Sequence, residues 1–200
     1  TFLLLLPVAN AQGKGELRIG YQKSAGLFVL QKTQGTLEKR LAPLGVSLKW
    51  VEFPAGPQLL EGLNVGAVDV GFVGEAPPIF AQAAGAPLVY AGATQPRPRV
   101  EAVLVPKDSP IRKVADLKGK RVAVTRGTDP HIFLVRALLG AGLTEKDITP
   151  VLLQHADGKT ALLRGDVDAW AGLDPMMAQA EVEEGARLFY RKADANTWGI

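Results

Sequence analysis

The turn at residues 124–134, VTRGTDPHIFL, concentrates much of the polar chemistry that the chain offers. A hydroxyl on Thr128, a carboxylate on Asp129 and an imidazole on His131 could transfer protons. A glycine and a hydroxyl before a helix could instead hold an anion on free backbone N–H groups. The same residues are also typical of a helix start, with Asp129 as the N-cap and Pro130 in the first turn. Catalysis, anion binding and helix initiation are therefore the three interpretations of this turn.

Catalysis would depend on the two histidines, His131 and His155. Their candidate acidic partners are Asp129, Asp157 and Asp174. No GxSxG or HExxH motif is present, and the histidines do not have metal-ligand spacing. The absence of cysteine excludes a cysteine nucleophile and thiolate metal sites. The sequence therefore favours binding over catalysis, with no metal and no cofactor.

Charge and composition also limit the partners. The chain has 23 basic and 20 acidic residues, a net charge of +3. Without a basic run or an aromatic RNA-binding motif, this balance predicts no nucleic-acid partner. An apolar content of 47% is enough for one substantial core or two small ones.

The first residues, TFLLLLPVANAQ, differ from the rest of the chain. An apolar run followed by Ala9-Asn10-Ala11 is typical of the end of a secretory signal peptide, which we expect over residues 1–11. A buried N-terminal strand is the alternative, but polar residues follow at once. An exported chain without a cysteine for lipid attachment is expected in the periplasm.

Alternating strand and helix patterns position the polar turns. Strand patterns occur at 17–21, 48–53, 68–73, 88–91, 100–105, 148–153 and 167–171, and the segment 116–124 leads into a further strand. Helical patterns occur at 27–41, 58–65, 77–84, 132–139, 158–163 and 175–183. This alternation predicts an α/β fold with a mainly parallel sheet.

An internal repeat divides this pattern into two lobes. EGLNVGAVDVGFVGEAPP (61–78) resembles ALLRGDVDAWAGLDPMM (161–177), and both place a glycine before Val-Asp and a buried strand. We predict a first lobe over 12–98, a proline-rich crossing at 99–108 and a second lobe over 109–200. Ligands of such sheets bind beyond the carboxyl ends of the strands, here in the cleft between the lobes.

The loops at those strand ends supply the candidate ligand-binding residues. They are Gln22, Lys23, Gly74 and Glu75 from the first lobe, and Arg126, Gly127, Thr128, Asp129, His131 and Asp174 from the second. For Asp174, helix capping and ligand contact remain equally open. Glutamate is a poorer cap, so we interpret Glu75 as facing the ligand. Trp50 and Trp170 are predicted in the core.

Five segments resemble the periplasmic aliphatic sulfonate-binding proteins of ABC importers, relatives of taurine- and nitrate-binding proteins. They are LRIGYQKSAG (17–26), VEFPAGPQLLEGLNVGAVDVG (51–71), GEAPPIFAQAAGAPLVY (74–90), SPIRKVADLKGKRVAV (109–124) and GDVDAWAGLDP (165–175), and the resemblance runs from 17 to about 194. It implies a two-lobed Venus-flytrap binding protein that is not an enzyme. It also implies an organosulfonate ligand, an inner-membrane ABC permease as partner, and a C-terminal return to the first lobe that this chain lacks. We expect a monomer.

The resemblance also suggests which groups hold the sulfonate. Gln22, Gly74, Thr128 and the amides after Gly127 are the expected donors, and Arg126 and Lys23 could add positive charge or remain solvated. The turn at 127–131 departs from the family, in which small hydroxyl residues follow the glycine. Here Asp129 would repel an anion and Pro130 has no N–H to donate. Alternative ligands are taurine, nitrate, or a cationic or zwitterionic compound. The alternative function is that of an enzyme similar to the thiamine-pyrimidine synthases.

Overall fold

Two sheets organise the chain, one of three strands and one of five. The computed structural model describes residues 15–97 and 99–191. The expected signal peptide at 1–11 and the last residues, 192–200, lie outside these ranges. We call the three-stranded sheet and its helices the first lobe, and the five-stranded sheet and its helices the second lobe.

The first lobe has a parallel sheet in the order β2-β1-β3. Its strands are β1 (Gly15–Tyr21), β2 (Val46–Glu52) and β3 (Val70–Gly71). Its helices are α1 (Gly26–Gln34), α2 (Thr36–Leu41), α3 (Gly56–Asn64) and α4 (Ala76–Ala83), with a 3₁₀ turn at Ala42–Leu44. Tyr21 pairs with Glu52 and Gly20 pairs with Gly71, so all three strands end at one edge.

Two predictions for the first lobe are wrong. The helix expected over 27–41 is divided at Gly35, whose φ of 59° is left-handed and ends α1. The strand expected over 88–91 is irregular chain, with Val89 89% exposed. The edge strand β3 spans only two residues and therefore offers few backbone groups for another strand to pair with.

The second lobe has a five-stranded sheet in the order β6-β5-β7-β4-β8. Its strands are β4 (Glu101–Val105), β5 (Arg121–Val124), β6 (Thr149–Leu152), β7 (Ala169–Leu173) and β8 (Arg187–Arg191). Its helices are α5 (Asp129–Gly140), α6 (His155–Arg164) and α7 (Met176–Val182), with 3₁₀ turns at Val114–Leu117 and Glu145–Asp147. None of the helices in the described part of the chain has the length and apolarity needed to cross a bilayer.

Strand β4 is the exception to the parallel direction of the second sheet. It runs antiparallel to both β7 and β8, whereas β5 is parallel to β6 and to β7. Residues 99–108, predicted as a crossing segment, thus contain a strand inside the second sheet. Strand β8 was not anticipated from the sequence. The α/β fold with a mainly parallel strand direction agrees with the prediction.

The core of the second lobe lies on both faces of its sheet. Side chains alternate along β4, so Val103 packs on one face with Leu138, and Leu104 packs on the other with Trp170. All four are completely buried, and each such side chain contributes roughly 1.5–3 kcal/mol by leaving water. The predicted core position of Trp170 is confirmed. Trp50 is only half-buried: its indole N–H donates to Glu38, 2.6 Å away.

The internal repeat corresponds to one hydrogen-bond arrangement that occurs in both lobes. In the first lobe the backbone N–H of Arg18 donates to the Asp69 carboxylate at 2.8 Å, and in the second the N–H of Arg121 donates to Asp168 at 2.8 Å. The Asp69 N–H donates back to the Arg18 carbonyl, and the Asp168 N–H to the Arg121 carbonyl. Each Val-Asp pair therefore joins the start of its strand to the neighbouring strand.

Candidate functional site

The loops at the carboxyl ends of β3 and β5 meet between the lobes. Residues 74–76 lead into α4 of the first lobe, and residues 125–128 lead into α5 of the second. Pro57, in the first turn of α3, lies beside Gly127: a Cβ built on Gly127 would be 3.6 Å from its Cγ. The site is therefore formed by turns that precede helices, where backbone N–H groups are available.

Asp129 connects the two lobes directly. Its carboxylate accepts hydrogen bonds from the backbone N–H of Ala76 at 2.6 Å and of Glu75 at 3.2 Å, at the N-terminus of α4. A Cβ added to Gly74 would overlap this carboxylate, so the contact in this position requires glycine at 74. The N-terminus of α4 favours a negative charge because its N–H groups are unpaired within the helix and its dipole is positive there.

The prediction that Asp129 caps its own helix is wrong. Thr128 is the N-cap of α5, with extended backbone angles, and Asp129 is the first helical residue. The Thr128 hydroxyl does not cap the helix but donates to the Thr125 carbonyl at 2.6 Å. The Asp129 side chain is directed across the interface, where it satisfies the amides of another helix.

His131 supports the turn that precedes it. The Gly127 N–H donates to its Nδ1 at 3.2 Å, which places the ring proton on Nε2, and Nε2 lies 2.9 Å from Glu145 Oε1. The His131 side chain is 13% exposed. Both ring nitrogens are thus engaged within the second lobe. Gly127 itself has a φ of 74°, a left-handed conformation that glycine adopts most readily.

His155 forms a second buried contact at the end of β5. The Thr125 hydroxyl donates to the Leu153 carbonyl at 2.8 Å, so it must accept from His155 Nδ1, 3.1 Å away. The residue is 3% exposed, and burial lowers the pKa of His155 to about 4. The imidazole is therefore neutral near pH 7, and it fixes the loop between β6 and α6.

The first-lobe candidates at the end of β1 differ in exposure. Gln22 is buried, and its side-chain amide donates to the Phe72 carbonyl at 3.1 Å. Lys23 is exposed, with its ammonium 3.5 Å from Glu52. A groove of about 550 Å³ separates Lys23 from the second-lobe residues 175–183. Gln22 thus joins two strand ends, whereas Lys23 borders the groove.

The remaining candidates occupy helix starts or solvent. Asp174 lies directly before Pro175, the N-cap of α7, and accepts from the Ala178 N–H in the first turn of that helix at 3.1 Å. Glu75 is the exposed N-cap of α4, and its side chain makes no capping bond. Arg126 is exposed.

The structure adds Ala76, Pro57 and Thr125 to the site. Ala76 contributes a backbone N–H, Pro57 a packing surface and Thr125 a hydrogen bond to His155. Thr125 ends a strand pattern and Ala76 directly follows the predicted Glu75, so both positions carried a signal in the sequence. Backbone donors have no side-chain signature.

The arrangement is suited to holding a compact anion. Backbone amides at the N-terminus of α4 already hold a carboxylate between the lobes. The hydrogen bonds of the histidines join His131 to Gly127 and Glu145, and His155 to Thr125, and none of these partners is an acidic residue considered from the sequence. Within residues 15–97 and 99–191, no group of three or more His, Asp or Glu side chains could hold a metal ion.

Known proteins resemble the chain in sequence and in structure. The family described as NMT1/THI5 like matches residues 43–196. An Escherichia coli (strain K12) protein named as an aliphatic sulfonates-binding protein is 50% identical over 192 residues, which cover 96% of this chain and 60% of the relative. The chain thus spans about three fifths of that relative's length.

Two solved structures extend the similarity to the fold. The alkanesulfonate-binding protein SsuA of Xanthomonas axonopodis pv. citri, bound to MOPS, has a TM-score of 0.83 and 48% identity, covering 88% of this chain and 61% of that one. The periplasmic aliphatic sulphonate binding protein SsuA of Escherichia coli has a TM-score of 0.76 and 50% identity, covering 90% and 58%. The first and second lobes therefore have the arrangement of periplasmic binding proteins.

Proposed function

Because the chain belongs to the NMT1/THI5-like family, we propose that it is a periplasmic solute-binding protein of an ABC importer that captures an aliphatic sulfonate between its lobes. The observation that carries this proposal is the carboxylate held between the lobes by the Glu75 and Ala76 amides. A sulfonate is also a compact anion with several acceptor oxygens. The 50% identical relative named for sulfonate binding supports the same ligand class.

Binding would use fixed donors rather than a full countercharge. The sulfonate oxygens accept hydrogen bonds from the N-terminus of α4, while Thr128 and Gln22 hold the surrounding loops in place. The aliphatic tail extends along the groove between Lys23 and α7, which Met176 and Val182 line with apolar surface. Closure of the lobes then excludes water from the sulfonate and strengthens its hydrogen bonds.

The protein acts as a carrier and not as an enzyme in this proposal. His131 supports Gly127, and His155 is buried against Thr125, so both histidines have structural contacts that account for them. The closed, loaded protein would dock as a monomer on an inner-membrane permease. Export through a signal peptide at residues 1–11 would place it in the periplasm.

Calorimetric titration tests the ligand class. We expect saturable heat, with one ligand per chain, for short and medium alkanesulfonates, and a weaker response to nitrate and to a pyrimidine. Taurine is included for comparison with the alkanesulfonates because it is a sulfonate that also carries an ammonium group. Saturable heat with the pyrimidine but with none of the sulfonates would overturn the proposal.

A matched pair of glycine variants tests the location. Gly74→Val places a branched side chain in front of the α4 amides, where a Cβ already overlaps the Asp129 carboxylate, so we expect sulfonate affinity to fall by at least tenfold. Gly92→Val makes the same change at an exposed position with open space around it and should leave affinity unchanged. Equal affinities in the two variants would place the sulfonate elsewhere.

A further inference from the structure

The Asp129 carboxylate occupies the position that an anionic ligand would take at α4. It belongs to the second lobe, yet its hydrogen bonds go to the Glu75 and Ala76 amides of the first. These amides can bind a carboxylate or a sulfonate, but not both at the same points. Because like charges repel, an anion beside a retained Asp129 would also be disfavoured.

The local sequence directs this side chain across the interface. Thr128 is the N-cap, and its carbonyl already accepts from the His131 and Ile132 N–H groups. Pro130 follows and has no N–H for a carboxylate to accept. The first turn of α5 thus offers Asp129 little to bind, whereas the amides of α4 lie 2.6 and 3.2 Å from its oxygens.

Gly74 makes the contact sterically feasible. The built Cβ would overlap the carboxylate, so the close approach requires the hydrogen side chain of glycine. The neighbouring approach of Gly127 to Pro57 brings the same second-lobe loop against another turn of the first lobe, at the start of α3. The two lobes are therefore in contact at this point through their own side chains and backbone.

We propose that Asp129 is an internal anion that latches the two lobes together and competes with the transported anion for the α4 amides. This inference rests on the proposed function for the identity of the competitor, but the latch itself does not. It predicts a ligand-free protein that is already partly closed, and an affinity for sulfonates that is lowered by the population of the latched state. Asp129 is thereby a specificity-determining residue of the cleft.

The latch is tested without any ligand by hydrogen exchange of the Glu75 and Ala76 amides. In Asp129→Ser the shorter side chain cannot span the interface, so we expect these amides to exchange at least tenfold faster than in the unmodified protein. Asp129→Asn keeps an acceptor oxygen and should give an intermediate rate. Asp166→Ser, an exposed position in the same lobe, is the matched control. Unchanged exchange in Asp129→Ser would overturn the latch.

The competition is tested by titrating the same variants with hexanesulfonate and taurine. Removing the charge and its charge-assisted hydrogen bonds should raise hexanesulfonate affinity by about tenfold or more in Asp129→Ser. Unchanged or weaker binding would overturn the competition, and a selective loss of taurine binding would show that Asp129 instead recognises its ammonium group. Faster exchange without sulfonate binding in any variant would support the latch and reject the proposed ligand class. Far-ultraviolet circular dichroism and the Tm establish that each variant is folded.

Discussion

Two histidines stabilise the site loops by different contacts. His131 accepts from the Gly127 N–H and contacts Glu145, and its side chain is partly accessible. His155 donates to the Thr125 hydroxyl and is almost completely buried. Because burial lowers the pKa of His155 to about 4, the folded protein keeps this imidazole neutral until the pH approaches 4.

The shifted pKa of His155 makes stability depend on pH. The unfolded histidine takes up a proton near pH 6.5, whereas the folded one does so near pH 4. Its contribution is therefore complete above pH 6.5 and is lost as the pH falls to 4, a difference of roughly 3 kcal/mol. Urea unfolding of the unmodified protein at pH 7, 5.5 and 4 should show this loss.

The variant His155→Gln isolates that group. Glutamine can still donate to Thr125 but does not titrate, so the slope between pH 6.5 and 4 should largely disappear. His131→Gln is the matched control and should retain the slope. A slope that survives in His155→Gln would mean that the histidine is not the titrating group.

At the scale of elements, the repeated Val-Asp strands share one stabilising contact. Each aspartate accepts the backbone N–H of an arginine on the neighbouring strand. In the first lobe the hydrogen bonds from Arg18 also lower the pKa of Asp69 to about 2. Asp69 therefore stays ionised, and its stabilising contribution is lost only as the pH falls below about 4 towards 2.

Removing the Asp168 carboxylate should show how much this contact stabilises the second lobe. Asp168→Ala leaves the Arg121 N–H without its acceptor, so we expect a loss of about 1 kcal/mol in the free energy of unfolding. Asp166→Ala, two residues away and exposed, should change it by less than about 0.5 kcal/mol. Equal losses in the two variants, measured by urea unfolding, would contradict a specific role for Asp168.

At the scale of the whole molecule, the lobes differ in how their sheets are covered. The second sheet is packed on both faces, with completely buried Val103, Leu104 and Trp170. In the first sheet, by contrast, none of the β2 residues is buried. We therefore expect the second lobe to be the more stable unit.

A pair of adjacent leucines tests this difference. Leu138 is fully buried, so Leu138→Ala should lower the free energy of unfolding of the second lobe by about 3 kcal/mol. Leu139 is 56% exposed, and Leu139→Ala should cost less than about 0.5 kcal/mol. Hydrogen exchange measured on peptides from each lobe should locate the effect in β4, β5 and β7. If Leu138→Ala accelerated hydrogen exchange equally in peptides of the first lobe, the two lobes would unfold as one unit.

The sequence by itself determined the α/β class, the repeated Val-Asp strands, the buried Trp170 and the loops that meet at the cleft. These features follow from short-range patterns, since apolar periodicity and turn residues act within a few positions along the chain. The same local information failed at 88–91, where the predicted strand is irregular chain, and at Gly35, which divides the predicted helix. It also did not predict the short edge strand β8.

Only the tertiary structure decided what Asp129 does. The sequence alone predicts that this carboxylate caps its own helix, because the residues that follow it along the chain are the only partners that the sequence identifies. In the folded chain it instead reaches the amides of Glu75 and Ala76, more than 50 residues earlier. Backbone N–H groups are identical at every non-proline residue, so their use as an anion site depends on which loops the fold brings together.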